Sequence, residues 1–217
     1  YGLVIVILSN LLYSISKGSN ERSEAVGLKK ILSIPIFKKL FWGIFLGTFA
    51  GLLIIGNLKI IGEQGSISAH HLVLGVSVFA VANFLGRLIW GFLSDHIGAS
   101  LSIFLALLFQ SAAIISLDLF PMTDMSYLFL SALIGFGFGG NFVLFAKETA
   151  QVFGVKNLGA IYPYVFLGYA IAGIAGPISG GFLFDFSDSY FYSIVLASTM
   201  SLAGSLLFLK EFISEKR

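Results

Sequence analysis

Long apolar stretches, separated by short polar ones, dominate the chain. A membrane-spanning helix needs about 20 mainly apolar residues, and six stretches meet that requirement. They cover about 40–62, 69–93, 99–119, 126–146, 158–184 and 189–209. A shorter apolar run at 1–14 predicts the end of a truncated helix, so we interpret the chain as a fragment. The pattern predicts an all-α polytopic membrane protein, with a bundle at 40–209 that follows the end of one more helix.

The composition fits that class and excludes several others. Only 11% of the residues are charged and 57% are hydrophobic, whereas soluble domains carry about 25% charged residues. The absence of cysteine excludes disulfides and thiolate metal sites. The histidines His70, His71 and His96 lack a plausible partner set for zinc. We expect no metal and no cofactor, and with no nucleophile–base pair or phosphate loop we do not expect an enzyme.

The cations predict how the bundle is oriented. If the polar segment 15–39 is cytoplasmic, 11 of the 13 Lys and Arg residues lie on that side, together with the tail at 210–217. The positive-inside rule favours this orientation in the cell membrane. Within the segment, 28–42 alternates lysine pairs with apolar residues and is typical of an interfacial helix, separated from the first span by Pro35. Its position between spans argues against nucleic-acid binding.

A short repeat links the second and fifth spans. The stretch GRLIWGFLSD (86–95) resembles GPISGGFLFD (176–185), and the shared residues are 90 positions apart. The matches are Gly86 with Gly176, Gly91 with Gly181, Phe92 with Phe182, Leu93 with Leu183 and Asp95 with Asp185. The two spans cross the membrane in opposite directions and are second in their triplets. This arrangement indicates 3+3 inverted repeats, as secondary transporters have.

Arg87 is a permanent cation inside the second span. It lies about 12 Å along the helix from Asp95, and no acid in the interior of the predicted spans can neutralise it. A buried guanidinium costs at least about 2.5 kcal/mol, and its fork suits a carboxylate. We therefore predict a substrate or cavity role, with snorkelling to the headgroups as the alternative. Asn83, four residues earlier, shares its helix face and is predicted to orient it, bind substrate or bond a neighbouring helix.

Other polar and aromatic residues extend this candidate site. Tyr162, Phe166, Tyr169 and Gly173 form one stripe on the fifth span, which predicts either a cavity wall or ordinary packing. Asn57 and Asn141 are further candidates for lining the cavity, and Gln110 is expected to bond between helices.

Two glycine-containing segments are predicted to serve conformational change. In the predicted cytoplasmic turn GFLSDHIG, which begins at Gly91, Ser94 or Asp95 is expected to cap the next helix or to hold the end of a neighbouring helix. Gly98 is expected to supply a tight turn. Gly173, Gly176 and Pro177 are expected to bend the fifth span.

These motifs resemble those of a known family. Residues 91–98 are similar to the signature loop of the major facilitator superfamily, although Ala99 and Ser100 stand where basic residues follow in that pattern. The chain resembles the C-terminal six-helix half of such a protein. Gly86-Arg87, the stretch 135–162 and GIAGP (173–177) resemble the oxalate/formate antiporters and the monocarboxylate transporters.

The resemblance implies that Arg87 binds a substrate carboxylate. Tyr169 stands where the oxalate carriers have a second cation, and Asn83 where proton-coupled carriers have an acid. We therefore expect a secondary transporter, antiporter or symporter, of a small organic anion, a monocarboxylate, working by alternating access. Its partners are the lipid bilayer and the missing N-terminal half. The alternatives are a membrane sensor that does not transport, and a carrier of a neutral solute in which Arg87 is structural.

Overall fold

The computed structural model describes residues 33–215, and side chains as far as residue 209. The predicted truncated helix at 1–14, most of the predicted loop at 15–39 and the side chains of the tail at 210–217 lie outside the described residues. Six helices follow one another: α1 Pro35–Gln64, α2 Ala69–Ile97, α3 Ala99–Leu119, α4 Asp124–Phe153, α5 Val155–Ser187 and α6 Phe191–Glu215. All six are long and apolar enough to cross a membrane. The predicted all-α, six-helix membrane fold is confirmed.

The helix ends follow from local chemistry. Pro35 begins α1, because proline needs no hydrogen-bond partner in a first turn. Residues 35–42 therefore continue directly into α1, whereas the sequence predicted that Pro35 separates an interfacial piece from the span. Gly98 alone joins α2 to α3 with φ 86°, and Gly154 alone joins α4 to α5 with φ 82°. Such angles suit glycine, which has no Cβ.

The helices pack in a pattern that matches an inverted repeat. The main partners are α2 with α4, α1 with α5, and α3 with α6. Exchanging the first three helices for the last three leaves these pairings unchanged. A Cβ added to Gly86 would press on the carbonyl of Phe136 in α4, and one added to Gly176 would lie 2.9 Å from the carbonyl of Phe49 in α1. The first matched pair of the sequence repeat thus marks two equivalent helix crossings.

Helices α2 and α4 are also joined at both ends. At one end, the Ser68 backbone N–H and hydroxyl each donate to the Asp124 carboxylate at 3.0 Å, and His71 Nδ1 lies 3.1 Å from the same carboxylate. At the other end, Lys147 pairs with Asp95. We call these the Ser68 end and the Gly98 end of the bundle. The helix that carries Arg87 is therefore held against α4 along its length.

The helices related by the repeat are the least covered. Only 28% of α2 and 22% of α5 is buried in their most apolar stretches, against 61% in both α1 and α4. The core lies along α1, α3, α4 and α6, where large side chains such as Leu53, Ile103 and Phe208 are fully buried. The candidate site residues of α2 and α5 thus lie on helices with open faces.

Candidate substrate site

Arg87 is oriented by the residue one turn before it. Its Nε donates a hydrogen bond of 3.0 Å to Asn83 Oδ1, as their spacing of four residues on a helix allows. Asn83 is 9% exposed, whereas Arg87 is exposed. Gly139 of α4 leaves room here, since a Cβ at that position would meet the Asn83 carbonyl. Asn83 occupies only the Nε edge of the guanidinium, so the two terminal nitrogens are left for another acceptor.

An aromatic ring from α4 covers one face of the same guanidinium. Cζ of Arg87 lies 4.2 Å from the ring centroid of Phe142, which is a cation–π distance. Phe142 was not predicted from the sequence as a site residue. One sequence signal was available, because Phe142 follows Phe138 by one helix turn. In the structure the two rings are 5.5 Å apart. That spacing alone does not reveal that α4 meets α2 at Arg87.

The aromatic stripe of α5 reaches Arg87 through Phe142. Tyr169 lies with its ring edge-on to Phe142 at 5.3 Å and stacks on Phe166 at 4.7 Å. Tyr162 lies 5.6 Å from Phe166, and its hydroxyl donates to the Phe142 carbonyl at 3.4 Å. The three predicted aromatic residues and Arg87 therefore form one continuous surface. Gly173, the fourth member of the stripe, is exposed on the same helix.

An open cleft of about 480 Å³ lies beside Arg87. Small-molecule sites typically measure about 300–1,000 Å³ and are mainly apolar with few polar groups. This cleft has that character, since its polar side chains are Arg87 and Asn83. The apolar lining residues are Ile55, Val76, Phe79, Ala80 and Phe84.

Asn141 lies inside the bundle and not on the cavity wall, where the sequence predicted it. It is 2% exposed, and its Nδ2 donates to Gln110 Oε1 at 3.1 Å. Gln110 in turn donates to the Gly47 carbonyl at 2.7 Å, so the two amides join α4, α3 and α1. The predicted position on the cavity wall is not observed, because the amide is stabilised by hydrogen bonds between buried helices.

Asn57 is likewise inside the bundle, at 6% exposure. Its Nδ2 donates to the Leu53 carbonyl at 2.8 Å and to the Pro177 carbonyl at 3.4 Å. Its Oδ1 accepts a hydrogen bond of 3.1 Å from the Tyr190 hydroxyl. Asn57 therefore joins α1 to α5 and to the start of α6, and it does not lie on the predicted cavity wall.

No ion pair of the described residues joins Arg87 to a carboxylate. Among the described residues one acid is buried: Glu148, which is 6% exposed and lies in α4, a helix that extends to Phe153. It follows Lys147, which binds Asp95, and so it belongs to the Gly98 end and not to the level of Arg87. This acid was not predicted within a helix because the fourth apolar stretch ends at 146.

The predicted conformational residues form two groups. At the Gly98 end, the Ser94 hydroxyl donates to the Gly91 carbonyl at 2.6 Å, and Lys147 Nζ donates to Ser94 Oγ at 2.9 Å. Lys147 also pairs with Asp95, and these contacts tie the end of α2 to α4. Residues 91–97 belong to α2, so only Gly98 forms the predicted turn, and no side chain caps the start of α3.

In α5, Gly176 packs on the backbone of α1 and Pro177 lies within the helix. Gly173 meets almost nothing there, since an added Cβ would lie 3.9 Å from Leu52. Within the described residues, no group of three His, Asp or Glu side chains is placed to hold a metal ion.

Comparison with known proteins identifies the family. The sequence profile of the Major Facilitator Superfamily matches residues 14–216. The chain belongs to the major facilitator superfamily. Membership explains the six-helix bundle and its repeat, because superfamily members are built from 3+3 inverted repeats.

Several curated superfamily members are similar to this chain. The oxalate:formate antiporter of Oxalobacter formigenes is 30% identical over 151 residues, which is 68% of this chain and 35% of the relative. An uncharacterized MFS-type transporter of Escherichia coli, YhjX, is 29% identical over 58% of this chain and 31% of its own length. Human monocarboxylate transporter 14 is 25% identical over 78% of this chain and 33% of its own length. The chain thus spans about a third of the relatives it matches.

Proposed function

We propose that this chain is the C-terminal half of a secondary transporter that carries a small organic anion by alternating access. The observation that carries the proposal is the arrangement of Arg87. The guanidinium is held at its Nε edge by Asn83, covered on one face by Phe142, and paired with no carboxylate of the described residues. A cation so placed inside a membrane bundle is costly and usually serves a substrate or ion pathway. Its free terminal nitrogens match the two oxygens of a carboxylate.

We propose a monocarboxylate as the substrate. Arg87 supplies one positive charge, and the neighbouring position on α5 is the neutral Tyr169, whose ring meets Phe142. One carboxylate balances that charge, whereas a dianion would leave a second charge in an aromatic surrounding. The relatives named for formate and for monocarboxylates support this class. Tyr162 and Phe166 complete the proposed wall, while Asn57 and Asn141 are left out because they are buried between helices.

We propose that the Gly98 end faces the cytoplasm of the cell membrane. Lys147 and Lys156 lie at this end, and the positive-inside rule places such residues on the cytoplasmic side. The end of α2, with Gly91, Ser94 and Asp95, and the connecting Gly98 then act as a conformational switch at the cytoplasmic surface. The open faces of α2 and α5 are the surfaces for the N-terminal half of the transporter.

Counterflow in liposomes tests this function. The complete protein is reconstituted with an unlabelled anion inside, and labelled formate, lactate, oxalate or a neutral sugar is supplied outside. We expect exchange of formate or lactate, weaker exchange of oxalate and none of the sugar. Binding of these anions without exchange would contradict transport and favour a sensor. Exchange of the sugar alone would indicate a carrier of neutral solutes in which Arg87 has a structural role.

A further inference from the structure

The cleft beside Arg87 extends along α2 toward the Ser68 end of the bundle. The α2 residues that line it begin at Val76 and end at Arg87. Val76, Ala80, Asn83 and Arg87 follow one another at steps of four, three and four residues, which places them on one face of the helix. Ile55 of α1 completes the lining. The guanidinium therefore lies at one end of an elongated cleft.

Polar and apolar groups are separated along this cleft. The hydrogen bond of 3.0 Å to Asn83 holds the guanidinium of Arg87 at the level of Asn83, because side chains on a helix lean toward its N-terminus. On the Ser68 side of Asn83, the α2 part of the lining is hydrocarbon and consists of Val76, Phe79 and Ala80. Val76 and Ala80 are exposed there. A ligand that matches both parts of the cleft has a charged head and a hydrocarbon tail.

The cleft is larger than the smallest carboxylates require. It measures about 480 Å³, whereas a water molecule occupies about 30 Å³ of the liquid and formate is little larger. Formate bound at Arg87 would leave water against Val76 and Ile55, although removal of water from apolar surface is favourable. From Asn83 to Val76 helix α2 rises by about 10.5 Å, which is the length of an unbranched carboxylate of about four to six carbons. Such a ligand would reach the apolar part of the cleft.

We infer that the cleft binds the hydrocarbon tail of an aliphatic monocarboxylate whose carboxylate lies on Arg87. Ala80 sets the chain length that fits, because it has the smallest side chain of the lining and stands between Asn83 and Val76. A larger side chain at this position would fill the path of the tail. The inference rests on the proposed function, since it takes Arg87 as the carboxylate site, and it adds a tail subsite on the Ser68 side of that site.

A series of unbranched carboxylates tests the tail subsite. Binding of acetate, butyrate, hexanoate and octanoate is measured by isothermal titration calorimetry with the complete protein in lipid nanodiscs, and titration of empty nanodiscs is subtracted to remove partition into lipid. We expect each added methylene up to hexanoate to strengthen binding by about two- to fourfold, the upper value corresponding to full burial. Octanoate should gain nothing over hexanoate. Hexanol, which has the same tail without the charge, should bind much more weakly.

Two variants change the tail subsite in opposite directions. Ala80→Leu should weaken hexanoate at least about tenfold more than acetate, because about two methylenes lose their place. Val76→Ala lengthens the cleft and should make octanoate bind more tightly than hexanoate. Ala112→Leu is the matched control, because Ala112 is also an exposed alanine of a membrane helix but lies in α3, outside the lining of the cleft. This control should keep the parent's dependence on chain length.

The results distinguish failure of the tail subsite from failure of the proposed function. Equal affinity of the parent for acetate and hexanoate, or the same chain-length dependence in Ala80→Leu and Ala112→Leu, would refute the tail subsite and leave the carboxylate site at Arg87 intact. Hexanol binding as tightly as hexanoate, or no binding of any carboxylate, would refute the carboxylate site and with it both proposals.

Discussion

Replacement of Asn83 by leucine tests how the guanidinium is held. Leucine keeps the branched shape of the side chain but removes the Oδ1 that accepts from Arg87 Nε at 3.0 Å. A hydrogen bond to a charged group contributes about 1.5–3 kcal/mol, and we take a value near 1 kcal/mol because the Arg87 side chain lies on an open face of the bundle. The contact with Phe142 remains, so the guanidinium becomes less ordered without being lost. We expect the apparent affinity for the anion to fall by about fivefold.

Asn83→Asp separates orientation from charge. The carboxylate keeps an acceptor for Arg87 but neutralises the cation that we propose binds the substrate, so binding should weaken more than in Asn83→Leu. Protonation of the new carboxyl removes its charge, so binding by Asn83→Asp should recover as the pH falls. Asn83→Leu should show no such recovery.

The assay is the concentration dependence of labelled lactate or formate exchange in liposomes. Tyr164→Phe is the control, because Tyr164 lies off the aromatic stripe and its side chain is 36% exposed. The reasoning fails if Asn83→Leu has the same concentration dependence as the parent. It also fails if the apparent affinity of Asn83→Asp for the anion is no higher at acidic pH than at neutral pH.

Three further substitutions separate structural residues from site residues. Asn141→Leu leaves Gln110 without its donor and should destabilise the bundle by about 1–3 kcal/mol, read as a lower midpoint in thermal unfolding in detergent, with unchanged affinity for the anion. Gly86→Ala should prevent stable folding, because its methyl meets the backbone of α4, and the amount of monomeric protein in size-exclusion chromatography checks this. Lys147→Ala removes the ion pair with Asp95 and should alter the exchange rate while equilibrium binding of lactate is unchanged. Opposite outcomes, in which Asn141→Leu abolishes binding or Gly86→Ala folds normally, would contradict these assignments.

The sequence was informative about the membrane helices because apolar length alone determines what can span a bilayer. It was less informative about their ends. Helix α4 runs to Phe153, beyond the apolar stretch, since Lys147 finds partners in Ser94 and Asp95 that permit charge near the helix end. Such contacts join residues far apart in the chain and leave no local pattern.

The site was predictable where it depends on one helix. Asn83 and Arg87 are one turn apart, so their hydrogen bond follows from helix geometry. Phe142 was missed because its contact with Arg87 depends on how α2 packs on α4. The misplacement of Asn57 and Asn141 has a related cause. In a membrane bundle both the lipid-facing and the interior surfaces are apolar, so hydrophobic periodicity does not indicate which face of a helix points inward.

Anion counterflow by Arg87→Gln tests the central claim most directly. Glutamine keeps a polar side chain but removes the charge and the pair of terminal nitrogens that a carboxylate needs. The measurement compares uptake of labelled lactate and formate by liposomes that contain the complete parent protein or the variant in equal, correctly folded amounts. We predict that exchange falls by at least about thirtyfold, as expected when one partner of a hydrogen-bonded charge pair is removed. Unchanged anion exchange in Arg87→Gln would show that the guanidinium does not bind the substrate.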